Sequence, residues 1–166
     1  MEASAQKGGG YLSFSRLSVA EGAGMVAALV FGLSLFLPWF TTSDNSNSKI
    51  DSAGIGPNSE ATGWETFRIL QYVLLAAAIA PFVLAWIVAR GHKLTWKPGE
   101  VTMIVGITAF ILVICNGIIL GRPDPNIEVG LTYGYLVAIV ASLGMAVCGF
   151  IRQATYVDAK KPPGVI

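Results

Sequence analysis

The sequence predicts an all-α fold, a bundle of four transmembrane helices, on three observations. Of the 166 residues, 54% are hydrophobic and only 13% are charged, whereas soluble domains carry about 25% charged residues. The charges bracket four uncharged runs of 22, 21, 21 and 23 residues, at positions 22–43, 69–89, 101–121 and 129–151. About 20 apolar helical residues cross the roughly 30 Å of hydrocarbon in a bilayer. Each run is therefore long enough to span a membrane once.

The composition also limits the partners and the domain organisation. The net charge is +1 and the basic residues form no cluster, whereas nucleic acid requires a basic surface. The segments outside the four runs are too short to build a core of their own. We therefore expect no nucleic acid partner and a single membrane domain at residues 18–151, in contact with membrane lipids. Residues 1–17 and 152–166 are expected to be cytoplasmic tails.

Helix 1 is expected at about residues 19–40. Ser18 and Glu21 have the spacing of a capping box, in which each side chain accepts a hydrogen bond from a backbone amide of the first turn. Pro38 is tolerated near the helix end, where forward hydrogen bonds are missing in any case. Residues 41–62 are rich in Ser, Asn, Asp and Gly, which predicts a longer loop after this helix.

Helix 2 is expected at residues 63–89. Thr62 and Glu65 repeat the capping-box spacing at its start. Pro81 lies in the middle of the helix and predicts a kink, because proline removes one backbone donor and crowds the preceding turn.

Helices 3 and 4 are expected at about residues 101–120 and 131–151, which completes a chain with both termini on one side. The side with more Lys and Arg is expected to be cytoplasmic. One side carries Lys7, Arg16, Arg90, Lys93, Lys97, Arg152, Lys160 and Lys161, and the other carries Lys49, Arg68 and Arg122. Both termini are therefore expected in the cytoplasm, and the 41–62 loop outside it.

Tryptophans are expected to mark the two membrane boundaries, because their amphipathic rings favour the headgroup level. By this topology Trp39 and Trp64 lie near the outer boundary, and Trp86 and Trp96 near the inner one. All four are candidate interface anchors.

The four uncharged runs, by definition, place no charged residue inside the membrane, which argues against a pump or proton-coupled transporter, because such proteins use intramembrane charges. The strongest polar residue in them is Asn116, joined by Ser34, Thr108, Ser142 and, near the outer end of helix 2, Gln71; Thr108, Asn116 and Ser142 are the candidates for a pathway. They either form interhelical hydrogen bonds or line a polar pathway. The single histidine lacks the three or four ligands that a metal site needs, so no metal and no cofactor are expected.

Small residues recur every four positions in three of the helices. They are Gly24, Ala28 and Gly32 in helix 1, Gly117 and Gly121 in helix 3, and Gly134, Ala138, Ser142 and Ala146 in helix 4. Such stripes allow helix backbones to approach closely in a membrane. They predict packing within the bundle, and one stripe is a candidate interface with a partner chain or a second copy.

Two segments carry a resemblance to known proteins. The run 35–40, LFLPWF, together with GWETF at 63–67 and the RLS of 16–18 followed by Glu21, resembles a group of small four-span membrane proteins of actinobacteria. This resemblance implies a bacterial plasma membrane location and no assigned activity. The topology and Trp39 are also loosely similar to claudin-type proteins. The 41–62 segment lacks a cysteine pair, so no claudin function is carried over.

These observations favour a non-catalytic membrane protein, an accessory or assembly subunit of a larger membrane complex. Other integral membrane subunits or a second copy of the chain would be its partners. The alternative is an oligomeric channel or small-solute carrier. An enzyme ranks third, because the sequence offers no cluster of His, Asp or Glu at an interface.

Overall fold

A computed structural model of the chain describes residues 17–42, 60–91, 96, 97, 99–119 and 129–156. This part of the chain is mostly helical. Its elements in order are α1 (Val19–Ser34), β1 (Pro38–Thr42), β2 (Glu60–Thr62), α2 (Gly63–Thr66), α3 (Leu70–Ala89), α4 (Glu100–Ile114), a π-helical turn (Cys115–Ile119), β3 (Val129–Leu131) and α5 (Tyr133–Thr155).

Three helices are long and apolar enough to cross a membrane. They are α3, α4 with the π-helical turn as far as Ile118, and α5. The apolar helix α1 is shorter, with 16 residues, which corresponds to roughly 24 Å at 1.5 Å per residue. The described residues therefore contain three candidate spans and one shorter apolar helix.

The helix α5 is the centre of the bundle. It packs along both α1 and α4, α1 also packs on α3, and α3 touches α4 over a smaller area. The core between these helices is formed by small, aliphatic and aromatic side chains, among them Ala28, Phe31, Leu74, Ala109, Val113, Ala138 and Met145. The outer faces of α3 and α4 stay largely uncovered by protein.

A three-stranded sheet corrects the expectation of an all-α fold with a plain loop at 41–62. The strand β1 is central and pairs antiparallel with β2 on one side and with β3 on the other. Phe40 lies opposite both Ala61 and Leu131. Extended backbone that is shielded from water needs partners for its polar groups, and β1 finds them by pairing with distant segments along both edges. Residues 43–59 of the predicted loop lie outside the described residues.

Helix α1 begins at the predicted capping box but ends earlier than predicted. Both capping hydrogen bonds of Ser18 and Glu21 are formed. The helix stops at Ser34 instead of reaching residue 40, because Pro38 has no N–H to donate to the Ser34 carbonyl and cannot continue the helix. That carbonyl instead accepts from the backbone N–H of Leu37 and from the indole of Trp39.

Predicted helix 2 is divided into two helices. The Thr62–Glu65 capping box is formed, as predicted, but it starts only the single turn α2. Phe67 has extended backbone, with φ −109° and ψ 115°, and its ring packs against those of Trp39 and Phe40. The long helix α3 therefore begins at Leu70, and Pro81 lies within it without interrupting it.

The last two helices differ from prediction at their ends. Regular α-helix stops at Ile114, and the π-helical turn comes next, where helix 3 is predicted to continue to residue 120. The predicted start of helix 4 at residue 131 belongs to β3, and α5 starts at Tyr133. It also runs four residues past the predicted end at 151, to Thr155.

Candidate functional site

The sheet end of the bundle, residues 35–42, 60–67 and 129–135, is built around Trp39. This side chain is fully buried, and its Nε1–H donates to the Ser34 carbonyl oxygen at 2.7 Å. Its ring meets the rings of Phe67 and Tyr135 edge-on, with centroids 5.9 and 5.6 Å apart. Phe40 packs against the same two rings. The strand β1 thus joins the chain before α3 to the start of α5 through aromatic contacts.

Backbone contacts tie the same region together. The N–H of Trp64 donates to the Leu35 carbonyl at 2.8 Å, and the N–H of Thr132 donates to the Trp39 carbonyl at 2.9 Å. The Thr132 hydroxyl donates to the Pro38 carbonyl. A Cβ on Gly63 would lie 2.6 Å from the Trp39 ring, so the indole occupies the space that a side chain would need there.

The π-helical turn faces the buried ring of Tyr135. Its hydroxyl donates to the Val113 carbonyl at 3.0 Å, a carbonyl that belongs to the last turn of regular helix. A Cβ on Gly117 would overlap the Tyr135 ring, so only glycine leaves room for it. Insertion of a side chain into the hydrogen-bond ladder is a known cause of local helix distortion. The tyrosine thus accounts for the change from α to π geometry.

The opposite end of the bundle, here called the ion-pair end, is defined by Glu21 at the start of α1 and Arg152 near the end of α5. The Nε atom of Arg152 lies 3.1 Å from Glu21 Oε1, with the side chains 17% and 14% exposed. The guanidinium and the carboxylate form an ion pair, although the Nε–H of Arg152 lacks the geometry of a hydrogen bond. The other carboxylate oxygen, Oε2, accepts from the Ser18 N–H at 2.7 Å. One carboxylate therefore both caps α1 and holds α5.

Sequence reasoning misses this pair. The sequence assigns Glu21 a capping role and includes Arg152 only among the basic residues of one membrane side. The signal that could have found the pair is the predicted topology, which places the start of helix 1 and the end of helix 4 at the same membrane boundary. Opposite charges at one depth are natural partners where lipid makes an isolated charge costly.

A cleft opens between α3 and α4 at the ion-pair end. It is lined by Glu21, Pro81, Leu84, Ala85, Val88, Trp96, Lys97, Gly99, Val101 and Thr102. Its volume is only about 30 Å³, far below the several hundred Å³ of ligand pockets. The cleft is therefore a shallow, mostly apolar groove on the side of the bundle.

The four tryptophans differ from one another in their surroundings. The expectation that Trp39 is an interface anchor is wrong, because its indole is fully buried inside the protein. Trp64 is partly exposed and stacks on Phe36 with centroids 5.5 Å apart. Trp86 and Trp96 are 50% and 55% exposed. The guanidinium of Arg90 lies 3.9 Å from the centroid of the Trp86 ring.

The described small-residue stripes lie against other segments of the same chain. A Cβ on Gly24 would contact Cys148 of α5, and one on Gly32 would contact Ala78 of α3. Gly134 lies against the backbone of Pro38. Ala28, Ala138 and Ser142 are fully buried. Gly121 lies outside the described residues, and Gly117 faces the Tyr135 ring.

A closer helix contact is missed because its glycines are not four residues apart. On α4, a Cβ on Gly106 would lie 2.5 Å from the Ala146 nitrogen of α5. Near the ion-pair end, a Cβ on Gly149 would lie 2.8 Å from the Met103 Cα atom. Gly99 has φ +90° at the start of α4, a conformation that disfavours other residues. The signal in the sequence is the seven-residue spacing of Gly99 and Gly106, which repeats after two helical turns.

The three polar residues of the proposed pathway are not brought together. Thr108 is exposed on α4, and its hydroxyl donates to the Ile104 carbonyl at 2.8 Å. Asn116 donates from Nδ2 to the Leu112 carbonyl at 2.8 Å, and Ser142 donates to the Ile139 carbonyl at 3.0 Å. Each side chain bonds to its own helix, so the expected interhelical hydrogen bonds are replaced by intrahelical ones.

Among the described residues, no three His, Cys, Asp or Glu side chains form a group that could hold a metal ion. The two cysteines, Cys115 and Cys148, are free thiols. The chain matches no protein-family model, no curated protein and no solved structure.

Proposed function

We propose that this protein is a four-span integral membrane protein that acts without catalysis, as an accessory or assembly subunit of a larger membrane complex. In this proposal α1, α3, α4 and α5 are the four spans and both termini are cytoplasmic. The resemblance to small actinobacterial four-span proteins supports a bacterial plasma membrane as its location. The sheet end then faces away from the cytoplasm.

The shortness of α1 is compatible with a fourth span because the residues after the helix are enclosed by protein. Leu35, Trp39 and Phe40 are buried, and β1 is paired along both edges. Non-helical backbone is tolerated at membrane depth where protein surrounds it. The sheet end can therefore complete the crossing that α1 begins.

The observation that carries the functional proposal is the architecture of the sheet end. Seven aromatic rings pack at or beside this end in two groups, Trp39, Phe40, Phe67 and Tyr135 in one and Phe36, Trp64 and Tyr72 in the other. Around them lie exposed polar side chains, including Glu60, Glu65 and Arg68. Segments 43–59 and 120–128 both connect to strands of this sheet. The packed rings are suited to hold the surrounding polar side chains, here called the rim, in fixed positions, so that a partner binds in a defined orientation.

The stripes and the polar side chains support the same conclusion indirectly. Their described members pack or bond within the chain, which leaves apolar outer helix faces for lipid. Apolar faces offer little specificity in a membrane, because lipid tails compete for them. We therefore assign the partner contact to the rim of the sheet end.

Site-specific photocrosslinking in membranes of the native host tests this proposal. A benzophenone amino acid replaces Glu60 or Glu65 at the sheet end, and Val140 serves as the control, because it is 70% exposed in the middle of α5. We expect the same protein adduct from both sheet-end positions and none from Val140. Absence of adducts at both, together with a monomeric particle after extraction in mild detergent, would contradict the proposal.

A flux assay addresses the alternative function. The purified protein is reconstituted into liposomes, and the passage of small solutes is compared between wild type and Asn116→Leu. An accessory subunit gives no flux in either case. Flux that the substitution reduces would replace the proposal with the channel or carrier.

A further inference from the structure

The aromatic rings at the sheet end form one buried group and one exposed group. The buried group is centred on Trp39. The exposed group consists of Phe36, which follows α1, Trp64 of α2 and Tyr72 in the first turn of α3. The Trp64 ring lies between the other two, with centroids 5.5 Å from Phe36 and 5.6 Å from Tyr72. Phe36 and Tyr72 are 57% and 59% exposed, so this group presents an aromatic surface on the outside of the bundle.

The backbone around Trp64 holds this surface in place. The N–H of Trp64 donates to the Leu35 carbonyl at 2.8 Å, and the capping box of Thr62 and Glu65 fixes the single turn of α2. Two charged residues that follow Trp64 in the chain, Glu65 and Arg68, are exposed. The exposed aromatic group therefore lies where the apolar surface of the helices gives way to a polar surface.

Two helices that lead away from this level are apolar over about one membrane thickness. In α3, Tyr72 and Arg90 are 18 positions apart, and in α5, the exposed Tyr133 and Arg152 are 19 positions apart. These separations correspond to roughly 27 and 29 Å at 1.5 Å per residue, close to the roughly 30 Å of hydrocarbon in a bilayer. Between these limits every exposed side chain of α3 and α5 is apolar. The length of the apolar surface thus matches a bilayer whose outer boundary lies at the exposed rings.

We propose that the exposed aromatic group is the surface by which the sheet end contacts the headgroup region of a phospholipid bilayer. Trp and Tyr side chains are enriched at that level, because one end of each side chain is apolar and the other is polar. In this arrangement α2 lies along the membrane surface, and the three-stranded sheet lies just outside the hydrocarbon. The inference rests on the proposed four-span arrangement and adds where the outer boundary of the membrane crosses the chain.

Quenching of tryptophan fluorescence by brominated phosphatidylcholine tests this depth in vesicles that contain the full chain. Trp86→Phe and Trp96→Phe leave Trp64 and the buried Trp39 as the fluorescent residues. A further Trp64→Phe substitution gives the Trp39 emission to be subtracted. Bromine on acyl carbons near the headgroup is expected to quench Trp64 about twofold or more relative to bromine near the end of the acyl chain.

Ile79→Trp, made in the variant whose only tryptophan is Trp39, is the matched control. Ile79 is 49% exposed on α3 and lies seven positions beyond Tyr72, roughly 10 Å deeper. The indole introduced there should be quenched more by bromine near the end of the acyl chain. Quenching of this variant without quenching of Trp64, or the same depth preference at both positions, would overturn the inference and leave the four spans in place. Absence of lipid quenching at both positions would contradict the spans themselves and this inference with them.

Discussion

The two ends of the bundle are held together by different physical means. At the sheet end, strands from three separate segments pair and aromatic rings fill the space between them. At the ion-pair end, one ion pair between Glu21 and Arg152 joins α1 to α5, and a groove separates α3 from α4. The rings fill a volume at the sheet end, whereas the ion pair joins α1 to α5 at a single point, beside the close backbone contact of Gly149 with Met103.

In the proposed function, the densely packed sheet end holds exposed groups in fixed positions for a protein partner. Substitutions at each end can test whether stability is concentrated at the sheet end, as this comparison implies.

The largest effect is expected from Trp39→Ala. Loss of a fully buried tryptophan leaves a cavity and removes the indole hydrogen bond to the Ser34 carbonyl, at a cost of about 3–5 kcal/mol in the free energy of unfolding. Circular dichroism during denaturation in detergent micelles measures it. The control Trp96→Ala removes a half-exposed ring at the other end and should change stability by about 0.5 kcal/mol or less. Equal losses in the two variants would remove the contrast between the ends.

The next largest loss of stability is expected from Gly117→Ala. The added methyl group overlaps the Tyr135 ring, and overpacking of this kind costs about 1–3 kcal/mol. Gly22→Ala in α1 is the control, because nothing lies within 4 Å of the new Cβ. It should instead stabilise its helix by up to about 1 kcal/mol. A neutral Gly117→Ala would show that the π-helical turn is not held by the tyrosine.

A smaller effect, about 1 kcal/mol, is expected from Glu21→Gln. Glutamine still accepts the capping hydrogen bond, so only the ion pair is lost, and its value lies between those of exposed and buried pairs. Glu65→Gln is the matched control at the equivalent capping position of α2. A double-mutant cycle with Arg152→Gln isolates the coupling. A coupling energy indistinguishable from zero would show that the ion pair does not stabilise the contact between α1 and α5.

The smallest effect is expected midway between the ends, for Thr108→Val. The side chain is exposed and bonds only to its own helix, so stability should change by less than about 0.5 kcal/mol. Ser142→Val, at a fully buried position, should lose about 1–3 kcal/mol through overpacking. A large loss in Thr108→Val would indicate that α4 has a contact on its outer face.

Local features of the fold can be predicted because they depend on residues close in the chain. Both capping boxes form as the spacing of Ser18 with Glu21 and of Thr62 with Glu65 indicates. The apolar runs from 69 and from 101 form α3 and α4. The predicted end of α1 is wrong. Pro38 is visible in the sequence and is expected to be tolerated near the helix end, but the helix ends at Ser34, because Pro38 has no N–H to donate to the Ser34 carbonyl.

The candidate site can be predicted only in part. Trp86 and Trp96 are exposed, which is compatible with a place at a membrane boundary. Trp39 also lies near the end of an apolar run, but it is buried. The polar residues Thr108, Asn116 and Ser142 stand out in the sequence because lipid disfavours unpaired polar groups. Their own helix backbones satisfy them, and residue types alone do not distinguish this from a pathway.

The sequence by itself determined that the chain is rich in apolar helix, where most of those helices lie and how two of them begin. These properties follow from hydrogen bonds and hydrophobicity within short stretches of chain. Only the tertiary structure decided that β1 pairs with β3, that Thr132 bonds to Pro38 across 94 positions, and that Glu21 meets Arg152. Such contacts depend on which helix faces meet, and that choice is made by the packing of the whole chain.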